Sequence, residues 1–301
     1  MNRIYRTVFN RALGVWQVVA EIASAQGKGR SAGHGGRRAL HLLALLPLSV
    51  WASLAAAAPP STASTASGLR GGASAQAPRV STTTLPNGGT VSAGSGSIGQ
   101  SGAAMTIIQN SQNLAINWQT FDIGRDASVT FLQPNAAAIA LNRVLGSEGS
   151  HILGQLKGNG QVWVLNPNGV LFGNTAQVSV GGLVASTLGL SDADFMAGNR
   201  SFSGYGGSVV NQGNLSGGYV ALLGESVRNE GVIAARLGTA ALAAGNATTL
   251  DFNGDQLLNV QVDEGALLAL ADNRGLIQAD GGSVLMTARA KDALLDTAVN
   301  N

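Results

Sequence analysis

An Asn-x-Gly corner recurs in the second half of the chain, and its spacing limits the available folds more than any other feature. Asn211-Gln212-Gly213-Asn214-Leu215 is followed by Asn229-Glu230-Gly231-Val232-Ile233, and then by Asn273-Arg274-Gly275-Leu276-Ile277. The first two glycines are 18 residues apart; the next interval is 44, which reads as two steps of 22. Each corner is followed by a short apolar run, at 220–223, 240–243 and 284–286. A period near 20 residues implies one coil of chain per repeat. Short parallel strands would fill each coil, with Val, Leu and Ala stacked along an axis. Gly is expected at φ > 0 in the corners, with Asn bonding its own backbone. A β-sandwich would instead turn about every 8–12 residues through tight hairpins, which fits the longer repeat poorly.

Composition agrees with a strand-built body. Apolar strings of a few residues (TIIQ, SVTFL, QVWVL, GVLFG, YVALLG, SVLMTA) recur between Gly and Asn. They are too short for helices and rich in Val, Ile and Leu. A helical turn is expected only at Asp192–Ala197, behind Ser191 as N-cap. Glycine accounts for 42 of 301 residues but shows no three-residue period, which excludes collagen. With 45% apolar residues a core is available, so plain disorder is excluded too. There is no Cys, hence no disulfide, thiol nucleophile or thiolate metal site. Three His leave little for an imidazole site, and no metal or cofactor is expected.

The formal charge of +2 hides an asymmetry. Residues 1–58 hold seven Lys/Arg and one acid; the remainder holds eleven bases and fifteen acids. A mildly acidic body argues against a nucleic-acid partner. The basic segment is a leader. Residues 39–58, ALHLLALLPLSVWASLAAAA, follow Lys28, Arg30, Arg37 and Arg38 and precede Pro59 and Pro60. The order basic, apolar, small is that of a secretory signal, with cleavage expected between Ala55 and Ala58. Pro47, His41 and the Ala-rich end weigh against a transmembrane helix of similar length. An amphipathic segment, residues 1–26, precedes the signal. Met1, Asn2, Tyr5, Arg6, Phe9, Asn10, Ala20 and Glu21 resemble the extended signal-peptide region of large Gram-negative exported proteins. A mitochondrial-type presequence is also Arg-rich, but the second signal behind this segment argues against one. The organisation expected is an extended signal peptide (1–58), a flexible Ser/Thr/Ala lead-in (59–79) and the repeat body (80–301).

The most specific block is residues 158–187, GNGQVWVLNPNGVLFGNTAQVSVGGLVAST. Its centre is a turn, with Pro167 setting φ and Asn168-Gly169 suited to positive φ. Four such residues alone are only a turn. In context, Asn166, Pro167, Asn168, Gly169, Gly181, Gly182, Ala185, Ser186 and Thr187 resemble the secretion domain of two-partner secretion exoproteins. This is also called the filamentous haemagglutinin N-terminal or haemagglutination activity domain. Ile116, Trp118, Phe121, Asp122, Ile123, Val129, Phe131, Gln133, Pro134, Asn135, Leu141, Asn142, Arg143 and Val144 match its upstream run, and 150–154 its following element. The high-molecular-weight adhesin branch is the nearest in pattern. Where some members carry an NPNL motif, this chain has Gln133-Pro134-Asn135-Ala136. Repeat and resemblance together give an all-β, right-handed parallel β-helix with an N-terminal cap and extra-helical β-hairpins.

The resemblance implies a secretion-targeting role in a surface or secreted adhesin. The leader would engage the Sec machinery and signal peptidase. A dedicated outer-membrane transporter would recognise the domain through periplasmic POTRA domains, and the helix would nucleate as it emerges. Asn166, Pro167, Asn168, Gly169, Gln133, Pro134 and Asn135 are the candidate partner motif. Trp118, Phe121, Phe131, Asn142 and Arg143 are expected to form a structural cap, the aromatics burying area and Arg143 paired with a carboxylate or carbonyl. His151 lacks a nucleophile partner and reads as a surface or capping residue. Asp251, Asp255, Asp263 and Glu264 lack calcium-loop spacing. The head of a contact-dependent toxin or haemolysin is the alternative. A polysaccharide-active enzyme is disfavoured, because acids are sparse and sit near turns. Val299-Asn300-Asn301 reads as the opening of another coil, so the body is expected to continue beyond 301. Any contact with host glycans or proteins would then lie further on.

Overall fold

The computed structural model describes residues 5–10, 15–20, 80–236, 238–252, 258–291 and 299–300. The signal cleavage site, the lead-in and Asp255 lie outside them. Two compact units are present, residues 1–70 and 71–301. In the first, Tyr5–Asn10 and Val15–Ala20 pair antiparallel.

The second unit is the parallel β-helix expected from the repeat. Three sheets run along it, and from the second coil onward each coil gives one strand to each. The first coil contributes Ala104–Gln109 to sheet one and Asn113–Trp118 to sheet two. The second supplies Ser128–Leu132, Ile139–Val144 and Ser150–Ile152; the third supplies Gln155–Gly158, Gln161–Leu165 and Val170–Phe172. The fourth comprises Gln177–Ser179, Gly182–Ser186 and Ser208–Asn211, and the fifth Asn214–Gly217, Val220–Gly224 and Ser226–Asn229. The sixth comprises Val232–Ala235, Thr239–Ala244 and Leu270–Asn273; the seventh comprises Leu276–Gln278, Ser283–Ala288 and Val299–Asn300. Neighbouring coils pair in parallel throughout. Inward Met105, Val129, Leu156, Val178, Leu215 and Ile233 stack as one buried column along sheet one.

Two features of the repeat differ from expectation. The 44-residue interval is one coil, not two. Asn229 and Asn273 are in direct register, and a hairpin excursion, Ala247–Phe252 and Leu258–Glu264, is inserted between them. Nor do Gly213, Gly231 and Gly275 sit at positive φ. They are needed because the coils approach too closely for a side chain. A Cβ on Gly231 would lie 2.2 Å from the Gly213 carbonyl oxygen, and one on Gly275 would lie 2.1 Å from that of Gly231.

A second core lies outside the coil. On sheet two, Leu141, Trp163, Leu165, Val184, Leu223 and Ala243 face outward and are buried. They are covered by the excursion from the fourth coil, with helix Asp192–Ala197 and strand Ser201–Ser203, and by the sixth-coil hairpin. Strand Ser201–Ser203 pairs antiparallel with Ala247–Phe252, so the two excursions form one three-stranded sheet. Ser191 caps the helix as expected, its hydroxyl accepting from the Asp194 amide, and Gly198 ends it at φ 84°.

The N-terminal end of the helix is covered by Thr90–Ala93, antiparallel to Asn113–Trp118, and by Gly96–Ser101, antiparallel to Ala104–Gln109. The aromatic block lies one layer inside these strands. Trp118 and Phe121 pack edge to face at 5.6 Å, and a Cβ on Gly89 would strike the Trp118 ring. Phe131 and Asn142 are buried in the second coil. Arg143 is half-buried and donates to the Leu190 carbonyl at 2.5 Å, to Asp192 at 2.8 Å and to Asn117 at 3.0 Å. It ties the second coil to the fourth-coil excursion.

Candidate functional site

The two sequence-predicted motifs are corners of the coil, and each is split between a buried amide and an exposed tip. Asn166, Pro167, Asn168 and Gly169 turn the third coil from sheet two to sheet three. Asn166 is fully buried. Its side-chain nitrogen donates to the Glu148 carbonyl at 2.9 Å and to Ser150 Oγ at 3.0 Å, both in the second coil. Its side-chain oxygen accepts from the Asn168 amide at 2.9 Å, which forms the turn. Asn168 donates from its side chain to the Gly146 carbonyl at 2.8 Å. Gly169 donates to the Asn166 carbonyl at 3.1 Å and adopts φ 122°, so here positive φ does require glycine. Gly207 of the fourth coil donates to the Pro167 carbonyl at 2.7 Å. The turn therefore fastens three successive coils. Pro167 and Asn168 stay exposed, beside a shallow groove bordered by His151, Leu171 and Val210.

Gln133, Pro134 and Asn135 form the second-coil corner between sheets one and two. Gln133 is buried. Its side-chain nitrogen donates to Gln109 Oε1 at 3.0 Å, to the Ala138 carbonyl at 3.0 Å and to the Gln161 carbonyl at 3.1 Å; its side-chain oxygen accepts from the Gly160 amide at 2.9 Å. Gln109 in turn donates to the carbonyls of Ser111, Gln112 and Ile139. Asn159 of the third coil bonds both the N–H and the C=O of Gln133, each at 2.8 Å. A two-amide ladder thus locks coils one to three. Pro134 and Asn135 are exposed; Asn135 accepts from the Ala137 amide and pairs with Gln112 at 2.9 Å. The two corners occupy different edges of the coil, so they do not converge on one pocket.

The Asn-x-Gly corners make a third ladder. Asn211 donates to Asn229 Oδ1 at 2.7 Å, and Asn229 to Asn273 Oδ1 at 2.7 Å. His151 lies 3.4 Å from Asp122, whose carboxylate also accepts the His151 amide at 2.7 Å. Among the described residues no group of three His, Asp or Glu side chains is placed to hold a metal ion.

Sequence reasoning did not reach the aromatic cluster of the outer core. Trp163 Nε1 donates to Tyr219 Oη at 2.8 Å, and Tyr219 Oη donates to Gln161 Oε1 at 2.6 Å. Burial pushes the Tyr219 phenol well above its ordinary range. The Arg200 guanidinium lies over Trp163 and Phe195 and donates to the Phe195 carbonyl at 2.7 Å. A signal was present. Strings such as VWVL and TAALAA lack the apolar–polar alternation of a one-faced strand, as expected for strands buried on both faces.

This architecture and these corners define a secretion domain built on a parallel β-helix. A family model described as TPS secretion domain matches residues 82–301, and one described as Extended Signal Peptide of Type V secretion system matches residues 1–50. The chain belongs to the TPS secretion domain family. It is 33% identical over 226 residues to a heme/hemopexin-binding protein of Haemophilus influenzae strain Rd, covering 70% of this chain and 24% of that protein. A second Haemophilus influenzae protein of the same name is 48% identical over 83 residues, covering 28% of this chain and 9% of that one. The chain thus spans no more than about a quarter of these relatives' length. Among solved structures, the HMW1 secretion domain of Haemophilus influenzae is similar at 32% identity and TM-score 0.64, covering 67% of this chain and 56% of that one. The chain carries a secretion-targeting domain and is exported by a Gram-negative bacterium to its surface or beyond. Its route uses Sec export and a dedicated outer-membrane transporter.

Proposed function

We propose that this domain belongs to a larger surface or secreted adhesin and that it is read in the periplasm by the POTRA domains of its transporter. The family match over residues 82–301 carries the reading. The domain would be bound while its coils are incomplete and would complete them on emergence. Asn166 and Gln133 serve this by fastening coils one to four. The exposed tips Pro167, Asn168, Pro134 and Asn135 are the contacts offered to the transporter. Trp118, Phe121, Phe131, Asn142 and Arg143 stiffen the first two coils, on which later ones grow. The role is recognition and folding, not catalysis. The adhesive part lies outside this domain. The length of the relatives supports this, and the ligand in their names is not transferred to this domain.

Co-expression with and without the transporter tests the reading. Wild-type chain should reach the medium or surface only with the transporter. Asn168→Ala or Asn135→Ala should lower export while leaving the purified domain's melting nearly unchanged. Transporter-independent export would overturn the proposal.

A further inference from the structure

The three sheets meet solvent differently at the N-terminal end of the helix. Sheet three begins with Ser150–Ile152, and its outer side is occupied: Ile123 bridges to Ile152, and Asp122 accepts the His151 amide. Sheet two begins with Thr90–Ala93, a four-residue strand broken by a register shift between Val91 and Ala93. Both are ordinary ways of blunting an edge. Sheet one begins with Gly96–Ser101, sequence GSIGQS, which has neither device. It holds unbroken register over six residues with Ala104–Gln109 and carries no charge, no proline and no bulge. Among the described residues no strand lies on its other side.

We propose that, besides the corner tips, the transporter engages this bare edge by adding one of its own strands to sheet one. The proposal rests on the reading above, that a transporter binds this domain in the periplasm. Ser101 and Ala104 close a two-residue turn through Gly102 and Ala103. In an antiparallel pair so closed, Ser97, Gly99 and Ser101 exchange bonds with the partner strand, which leaves the N–H and C=O of Ile98 and Gln100 facing the free side. The outward row Ser97, Ile108, Leu132 runs across the sheet to this edge, and Ile108 and Leu132 are 46% and 50% exposed. The complementary strand is therefore uncharged and sets an apolar side chain beside Ser97, with main-chain bonds giving affinity and the apolar row giving register.

The geometry also suits a partner present throughout folding. The hairpin 96–109 is local in sequence, and a lone hairpin is at best marginally stable in water. A partner strand on Gly96–Ser101 makes it three-stranded before Ser128–Leu132 arrives. That later strand pairs with the opposite edge, Ala104–Gln109. Bound partner and growing helix do not compete for the same backbone groups.

Amide hydrogen exchange on the full chain, with and without the purified periplasmic portion of its transporter, tests the proposal. The amides of Ile98 and Gln100 should slow at least tenfold in the complex, with those of Met105 and Ile107 unchanged. Gln100→Pro, which removes one outward N–H, should weaken binding at least tenfold with the same melting temperature as wild type. Should Gln100→Pro prove unstable, the exchange result on wild-type chain decides alone. Binding with no added protection at Ile98 and Gln100 overturns the docking edge while the transporter reading stands. No binding of wild-type chain, together with transporter-independent export, overturns both.

Discussion

Asn166→Ala removes a side chain that is fully buried and makes bonds in two directions. The Glu148 carbonyl and Asn168 lie near solvent and can be rehydrated, whereas Ser150 is 1% exposed and its hydroxyl loses a donor with no water to replace it. Two or three lost bonds at about 0.5–1.5 kcal/mol each, with one buried group left unmatched, cost about 2–4 kcal/mol. For a domain of this size that lowers melting by about 4–16 °C. Asn168→Ala removes an exposed amide with one good bond, to Gly146, and should cost about 0.5–1 kcal/mol. Urea unfolding of the mature domain, followed by circular dichroism and Trp fluorescence, measures both. If Asn166→Ala costs less than Asn168→Ala, the turn is not the staple that its bonds describe. The two variants also separate roles. Export lost with Asn168→Ala at near-native stability marks a contact, whereas export lost with Asn166→Ala in proportion to stability marks a fastening.

Three further expectations follow from the packing. Trp118→Ala deletes a ring that is 1% exposed and also leaves Asn142 Oδ1 without its indole donor, so a loss of about 3–5 kcal/mol is expected in urea melts. Tyr219 keeps its proton in the folded state more tightly than in the unfolded one. Folding stability should therefore hold below pH 9 and fall as pH rises past about 10, and Tyr219→Phe should flatten that fall while costing about 1–3 kcal/mol for the orphaned Trp163 N–H; an unchanged alkaline limb in the variant would show that another group titrates. Gly231→Ala places a methyl 2.2 Å from the Gly213 carbonyl. It should destabilise by more than 1 kcal/mol by forcing the coils apart, and a neutral result would mean the column yields freely.

Much of the fold was legible because a coil repeats. Asn229 and Gly231 mark a corner whether or not the interior is known, and short Val-rich strings between corners admit little besides stacked strands. The insertion in the sixth coil was not legible, since 44 is divisible into two plausible periods and only the Asn229–Asn273 register reveals one coil. The glycines were recognised but for a different reason. Axial crowding depends on the distance between coils, which a single chain segment does not encode. At the candidate site, residue types showed a turn at 166–169, and Pro167 with Gly169 behaves as that chemistry requires. That Asn166 and Gln133 point inward while Pro134 and Asn168 point outward is a tertiary fact, set by bonds to Ser150 and Gln109 far away in sequence.

The polar ladders explain how a stack of nearly interchangeable apolar strands finds one register. A slip of one residue would turn inward columns such as Val129 and Leu156 out to solvent, yet apolar packing alone penalises a slip of two only weakly. Buried amides do not tolerate it, because an amide moved off its partner is an unsatisfied polar group. Gln109 and Gln133 set coil one on coil two, Asn142 and Asn166 set coil two against coil three, and Asn211, Asn229 and Asn273 set coils four to six. Between coils three and four the described residues show no side-chain amide ladder; backbone bonds such as Gly207 to Pro167 span it. That junction is bridged from outside, where Trp163 of the third coil bonds Tyr219 of the fifth beneath the excursion that leaves the fourth. In a solenoid whose coils contact only their neighbours, such a junction is where the stack would part first. The outer core is therefore not an ornament on the helix: it joins two amide-registered blocks, and Tyr219→Phe tests the seam between them.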